Sequence, residues 1–444
     1  MGKGLIAVLL GFCFSITALA QGVPALSASE SVPVLPKTWM GVSGDTSIGA
    51  ISRKNPLHYL HVGEAGEVKG WNKHDSPATM TILKQEGRHI ELQFKNPKYQ
   101  INEIGVLSAD GKKIQVMSKE STGLFTIDGD KISGCGISRG SNGLFGHWLG
   151  SYSAWCDEYS TSSASIPPSK QSIINLPKTW TGVISATTVG LINKHQPTDQ
   201  SSVGKEKKAS GWSTYFAPRT LTILRQEGRH VEFLYQSPSF KEKWIGMLSA
   251  DGKQIQVISQ HTSGLWTISG EKMTGCATGR GMNGAFDHWL NEYSASCYEF
   301  IAGTSPPPVA HNIPILPKEW KGEVFTTAMG TPYNSNPKHS KHVGKEKEAQ
   351  GWNSYNSPRS ISILRQEGRH VELLLKYPKG ETKYIATLSF DGSQLQIMEK
   401  HLEVLFAVSA NSLSGCGSSR SSEGTFGDWK DKYSVFCYEY TALQ

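Results

Sequence analysis

The residues best suited to chemistry recur three times. Gln85-Glu86-Gly87-Arg88-His89-x-Glu91 returns as Gln226-Glu227-Gly228-Arg229-His230-x-Glu232 and as Gln366-Glu367-Gly368-Arg369-His370-x-Glu372. A histidine and a carboxylate two residues apart on a strand share one face, where they can act as a base with its orienting partner or as two ligands of a metal such as zinc. His147, which becomes His288 and then Asp428, offers a third ligand. The usual companions of catalysis are missing, since no Ser-His-Asp, Cys-His, paired-carboxylate or glycine-rich phosphate pattern accompanies the motif. A hydrogen-bond network among Arg88, His89 and Glu91, with Gln85 and Arg88 pairing across the turn, explains the same residues without a reaction. No catalytic residue, metal or cofactor is assigned.

Tryptophan forms the second candidate group. Nine of the 12 tryptophans stand at fixed places: Trp39, Trp180 and Trp320; Trp71, Trp212 and Trp352; Trp148, Trp289 and Trp429. The first set opens a strand and reads as core. The other two sets fall at loop positions, where an indole offers a flat apolar face and a polar N–H suited to stacking on a sugar or another planar ligand. Plugging a barrel end is the structural account of the same rings. The candidate ligand-binding residues are therefore these six tryptophans with Arg88, His89, Glu91, Arg229, His230, Glu232, Arg369, His370 and Glu372. The lysine- and glutamate-rich loop after Val203-Gly204 and Val343-Gly344 reads as a solvated face because its charges are of mixed sign, and the lack of its lysines in the first copy argues against a shared anion site.

These residues sit in a threefold internal repeat. Leu35-Pro36-Lys37-Thr38-Trp39, Leu176-Pro177-Lys178-Thr179-Trp180 and Leu316-Pro317-Lys318-Glu319-Trp320 open copies that run to Tyr159, Phe300 and Tyr440. Each copy is long enough to be a domain, which implies three beads at 35–159, 176–300 and 316–440. The Ser/Pro-rich spacers 160–175 and 301–315 and the leader 21–34 suit extended linkers. Apart from Cys13, the cysteines fall two per copy at one spacing, as Cys135/Cys156, Cys276/Cys297 and Cys416/Cys437. One disulfide per bead is the economical pairing, and the close Cys-x-x-Cys spacing of zinc sites is absent.

Each copy reads as β throughout. In the first, Met80–Gln85 and Arg88–Phe94 flank Glu86-Gly87, Ile104–Ala109 and Lys113–Met117 flank Asp110-Gly111, and Leu124–Ile127 and Lys131–Ile137 flank Gly129-Asp130. Three hairpins with strands at Trp39–Val42 and Tyr152–Tyr159 make an antiparallel meander of about eight strands. Its edges demand closure into an up-and-down barrel or a sandwich. The Trp on the first strand, the meander and a late Arg resemble the calycin-type barrels, the lipocalin- and avidin-like group. That resemblance implies that Arg139, Arg280 and Arg420 pack on Trp39, Trp180 and Trp320 and close the barrel end.

The chain has 444 residues and a net charge of +7, but its basic residues are dispersed among acids, which disfavours nucleic acid as a partner. Lys3, the apolar stretch Leu5–Phe14 and Ala18-Leu19-Ala20 read as a secretory signal cleaved after Ala20. No later segment is long and apolar enough for a membrane helix. The expectation is an exported, secreted or periplasmic, non-enzymatic protein whose tandem barrels bind a surface ligand, a glycan or a protein, multivalently. An exported hydrolase or metal enzyme using the His-x-Glu pair and a structural or inhibitory interaction module are the alternatives.

Overall fold

Alternation with a period of two sets the architecture. In β3 (His89–Lys95), Ile90, Leu92 and Phe94 turn inward and are buried, while His89, Glu91 and Gln93 take the opposite face. The computed structural model describes residues 32–48, 72–97, 99–118, 121–139, 152–161, 174–189, 212–237, 241–259, 262–280, 293–304, 313–329, 353–378, 380–399, 402–420 and 433–443. The first copy comprises β1 (Thr38–Ile48), β2 (Asn72–Glu86), β3, β4 (Gln100–Leu107), β5 (Lys113–Met117), β6 (Ser121–Asp128), β7 (Lys131–Arg139) and β8 (Tyr152–Ser160). The second comprises β9 (Thr179–Val189), β10 (Trp212–Glu227), β11 (His230–Gln236), β12 (Lys241–Leu248), β13 (Gln254–Ile258), β14 (Thr262–Ser269), β15 (Lys272–Arg280) and β16 (Tyr293–Ala302). The third comprises β17 (Glu319–Met329), β18 (Asn353–Glu367), β19 (His370–Tyr377), β20 (Gly380–Leu388), β21 (Gln394–Met398), β22 (Leu402–Val408), β23 (Ser412–Arg420) and β24 (Tyr433–Ala442).

Each set closes into an eight-stranded antiparallel up-and-down barrel, which decides between barrel and sandwich. A walk along the ladder from Glu86 through His89, Val106, Gln115, Leu124, Cys135, Cys156 and Gly44 returns to β2 at Asp75, not at Glu86. That stagger is the shear a closed barrel requires. Gly87, with φ 59°, makes the β2–β3 turn that an L side chain would strain. β2 starts eight residues before the expected Met80, and Pro77 lies inside it. The proline is tolerated because β2 pairs there only with Val42 of β1, beyond the end of the β3 ladder at Thr79. Cys135–Cys156, Cys276–Cys297 and Cys416–Cys437 are bonded, one disulfide per barrel.

The interiors are packed cores. Trp39, Trp180 and Trp320 are buried, each donating its indole N–H to the carbonyl of Pro36, Pro177 or Pro317 at 2.8–2.9 Å. In the second barrel the core is aromatic, with Trp244, Trp266, Tyr298 and Phe300 packed against one another as tilted rings. In the third barrel the residual cavity is about 10 Å³, no more than one water can use. The resemblance-based pairing of Trp39 with Arg139 is not what the register gives. Arg139 stands level with Tyr152 and Ile48, nine residues along β1 from Trp39, so the two occupy opposite barrel ends. Arg280 and Arg420 are placed in the same way beside Tyr293 and Tyr433.

The copies are not separate beads; they close into a ring. β8 packs on β12 and β13, β16 on β20 and β21, and β24 on β4 and β5. Each seam buries an apolar cluster drawn from equivalent positions: Ile48, Tyr152 and Ala154 with Ile245, Met247 and Ile258; Val189, Tyr293 and Ala295 with Ile385 and Met398; Met329, Tyr433 and Val435 with Ile104, Val106 and Met117. These residues lie on the outer faces of their barrels, which is why β4, β5 and β8 carry apolar side chains on both faces. A head-to-tail contact repeated three times and closed on itself is a cyclic assembly, here within one chain. Rotation about such an axis keeps equivalent points at one height. The strand ends Ile48, Asn72, Arg139 and Tyr152 therefore share a level with their counterparts in the other two barrels.

Candidate functional site

The repeated hairpin motif is spent on the seams and on the barrel floor. Gln85 does not pair with Arg88. Its amide accepts the N–H of Leu35 at 3.0 Å and donates to the carbonyls of Pro33 and Gly87, pinning the lead-in segment under the barrel. Gln226 and Gln366 hold Leu176 and Leu316 in the same manner. The last glutamate of the motif pairs across strands: Glu232 with Arg225 at 3.2 Å and Lys243 at 3.7 Å, Glu372 with Arg365 and Lys383. Glu91 stands opposite Lys84 in the ladder.

Each histidine faces the preceding barrel around the ring. His230 Nδ1 lies 2.8 Å from Thr46 Oγ1, His370 Nδ1 3.0 Å from Thr187 Oγ1 and His89 Nδ1 2.9 Å from Thr327 Oγ1. Every one of these threonines donates its proton to a backbone carbonyl of the next barrel, of Gly246, Ala386 or Gly105. The ring nitrogen must therefore be the donor to the hydroxyl. Burial pushes His89 and His370 below the usual histidine value, although Asn356 and Glu86 for the first and Glu367 for the second pull the other way. Thr46, Thr187 and Thr327 escape a reading of the sequence because they look like ordinary strand residues; their signal is their identity in all three copies beside apolar outward-facing neighbours.

The arginines complete the seams with differing partners. Arg229 bonds Asp75 at 3.1 Å, and Asp75 also meets His230 Nε2 at 3.0 Å. Burial raises the Asp75 carboxyl, but His230 and Arg229 outweigh it and hold the group down at about 2. Arg88 pairs with Glu439 at 2.6 Å and lies over the Phe325 ring at 3.9 Å. Arg369 bonds the carbonyl of Ser389 in its own barrel and lies over Phe390, against which Phe216 of the second barrel packs.

Trp71, Trp148, Trp289, Trp352 and Trp429 lie outside the described residues, as do His147, His288 and Asp428. Trp212 opens β10 opposite Val189.

A different site lies where the three barrels meet. The rows Gln115–Leu124–Cys135, Gln256–Leu265–Cys276 and Gln396–Leu405–Cys416 line a cavity of about 120 Å³. Equivalent outer-face positions from each barrel converge there, so it sits on the ring axis. Among the described residues, no group of three or more His, Cys, Asp or Glu is arranged to hold a metal. The interior of the first barrel also differs from its counterparts. Asp157 occupies the position of Tyr298 and Tyr438; burial pushes its carboxyl up to about 6, opposed by Ser43 and by the hydroxyl of Tyr159 at 2.8 Å.

No family model matches the chain, and no curated protein does. It is distantly similar to solved β-barrel structures. A protein of unknown function of the DUF3598 family from Nostoc punctiforme shares 10% identity over 60% of this chain and 96% of its own, with a TM-score of 0.27. Transferrin binding protein B from Haemophilus parasuis shares 10% over 93% and 77%, with a TM-score of 0.18. The isotype 1 transferrin binding protein B of serogroup B Neisseria meningitidis shares 9% over 92% and 77%, with a TM-score of 0.19. Likenesses this distant carry no argument about what the chain does.

Proposed function

We propose that the chain is an exported, non-enzymatic binding protein that presents three versions of one loop-borne site on a rigid ring. The observation that carries this reading is the cyclic closure. It brings the strand ends Ile48, Asn72, Arg139 and Tyr152 and their counterparts to one level around a common axis, and in sequence the segments carrying Trp71, Trp148 and their counterparts connect these ends, which supports three weak sites acting as a fixed trivalent array. Export is part of the proposal, supported by the signal-like residues 1–20 and by the pairing of all six cysteines beyond Cys13. The barrels are read as calycin-type in topology, but their packed interiors favour ligand capture by the loops over capture inside the barrel. The divergent segments 50–61, 191–202 and 331–342 leave room for different specificities.

Engagement of the histidines with seam threonines supports a structural role for the hairpin motif over a catalytic or metal-binding one. A glycan panel titrated into the full mature, oxidised chain, followed by tryptophan fluorescence, tests the reading. Saturable binding, weakened in Trp212→Ala and lost when Trp71 and Trp352 are also replaced, is the expected result. Unchanged binding in that triple variant, or silence across the glycans, would overturn the sugar-stacking site, and capture of a protein by silent loops would favour an interaction module.

A further inference from the structure

The axial cavity is rich in acceptors and carries one charge. Gln256 and Gln396 donate their side-chain N–H groups to the carbonyls of Gly264 and Val404, at 2.8 Å and 3.0 Å, and Gln115 donates to Thr122 Oγ1 at 3.1 Å. Bonding to backbone carbonyls fixes which end of the Gln256 and Gln396 amides is nitrogen, and Thr122 fixes Gln115, because its hydroxyl proton goes to the carbonyl of Val116 at 3.2 Å. The glutamine carbonyl oxygens receive no hydrogen bond among the described residues, although all three glutamines are buried and line the cavity. At the position where the first two copies have Thr122 and Ser263, the third has Glu403. Its carboxylate accepts from Thr278 at 2.7 Å and Ser418 at 3.5 Å, hydroxyls of the second and third barrels, and forms no ion pair among the described residues. The described lining contains no lysine, arginine or histidine; beyond the hydroxyls of Thr122, Ser263, Thr278 and Ser418 it is apolar, chiefly Leu124, Leu265, Leu405 and the disulfides.

Glu403 is half-buried, and a carboxylate set among amide oxygens on a concave, partly apolar wall attracts a cation rather than an anion or a neutral solute. Hard divalent ions prefer several carboxylates, and the described lining holds one. A primary ammonium carries three N–H donors in threefold array, matching three amide oxygens set around a threefold axis, and its alkyl tail suits the leucines. The volume admits roughly five or six heavy atoms. We propose that the axial cavity is a binding site for a small primary alkylammonium ion, with Gln115, Gln256 and Gln396 as acceptors and Glu403 as the counterion. The site is separate from the loop-borne one and stands or falls without it.

Calorimetric titration of n-butylammonium chloride into the full mature, oxidised chain tests this, with n-butanol, potassium chloride and calcium chloride as controls. The expected result is saturable binding of one butylammonium per chain, none of butanol, and a loss of about tenfold or more in Glu403→Gln. Glu403→Ser, which restores the residue type of the second copy, should lose binding equally while melting like the parent. The absence of saturable heat, equal affinity in parent and both variants, or displacement of butylammonium by calcium at stoichiometric levels would overturn the proposal.

Discussion

The seam between the first and second barrels and the seam between the second and third share one centre and differ at the edge. At both centres a threonine bridges a histidine and a backbone carbonyl, over an apolar cluster containing a tyrosine, Tyr152 or Tyr293. At the edge of the first stands Asp75, ion-paired to Arg229 and 3.0 Å from His230 Nε2, with Lys73 paired to Glu227. At the edge of the second stands Phe216, packed on Phe390. Gly44 makes the first arrangement fit, since a Cβ there would lie 2.3–2.5 Å from Met247, Arg229 and Asp75. The third seam puts Phe325 at the same place, under Arg88. A fixed centre with three edge chemistries implies that the centre sets the geometry and that the edge adds less.

Replacing the central threonine is the severest test of that difference. Thr46→Val and Thr187→Val each leave a buried carbonyl and ring nitrogen short of a partner, and each is expected to cost about 1–3 kcal/mol in chemical denaturation. Equal losses sharpen the comparison, whereas a loss at one seam alone would break it. Acid separates the seams next. His89 and His370 have folded-state values below their unfolded ones, so their contribution is complete above about pH 6.5 and is lost as the pH falls. Asp75 is also depressed, to about 2, so its contribution is complete above its unfolded value near 3.8 and is lost only as the pH falls towards 2. Melting followed from neutral pH downward should therefore show an early loss that is blunted in His370→Gln, and a later one that is blunted in Asp75→Asn.

The edges themselves should give the smallest effects. Asp75 is half exposed, so Asp75→Asn is expected to cost under about 1 kcal/mol and to cost less still at high salt. Phe216→Ala should cost about 0.5–1 kcal/mol without dependence on salt, because its contact is a ring pair. Matching salt dependence in the two variants would remove the distinction between an ionic and an aromatic edge.

The local parts of the fold were legible in the residues. Alternation in Ile90, Leu92 and Phe94, turns at Gly87, Gly111 and Gly129 and the repeated cysteine spacing suffice for the meander and its disulfides, since each rests on a few neighbouring positions. The ring did not show. Ile104, Val106 and Met117 look like interior residues, and nothing local says that their face meets Tyr433 and Val435 of another copy. The same blindness made His89 look like a reactive side chain when its partner, Thr327, lies 238 positions away. Gln85 was assigned to Arg88 because they flank one turn, yet its partner Leu35 comes from a segment brought there by the whole barrel.

Small-angle X-ray scattering of the mature chain tests the closed ring most directly. Three barrels in mutual contact predict a radius of gyration of about 22–25 Å, close to that of a compact body of this length. A value near or above about 35 Å, with the profile of separate bodies on extended linkers, would contradict the ring and return the three copies to independence.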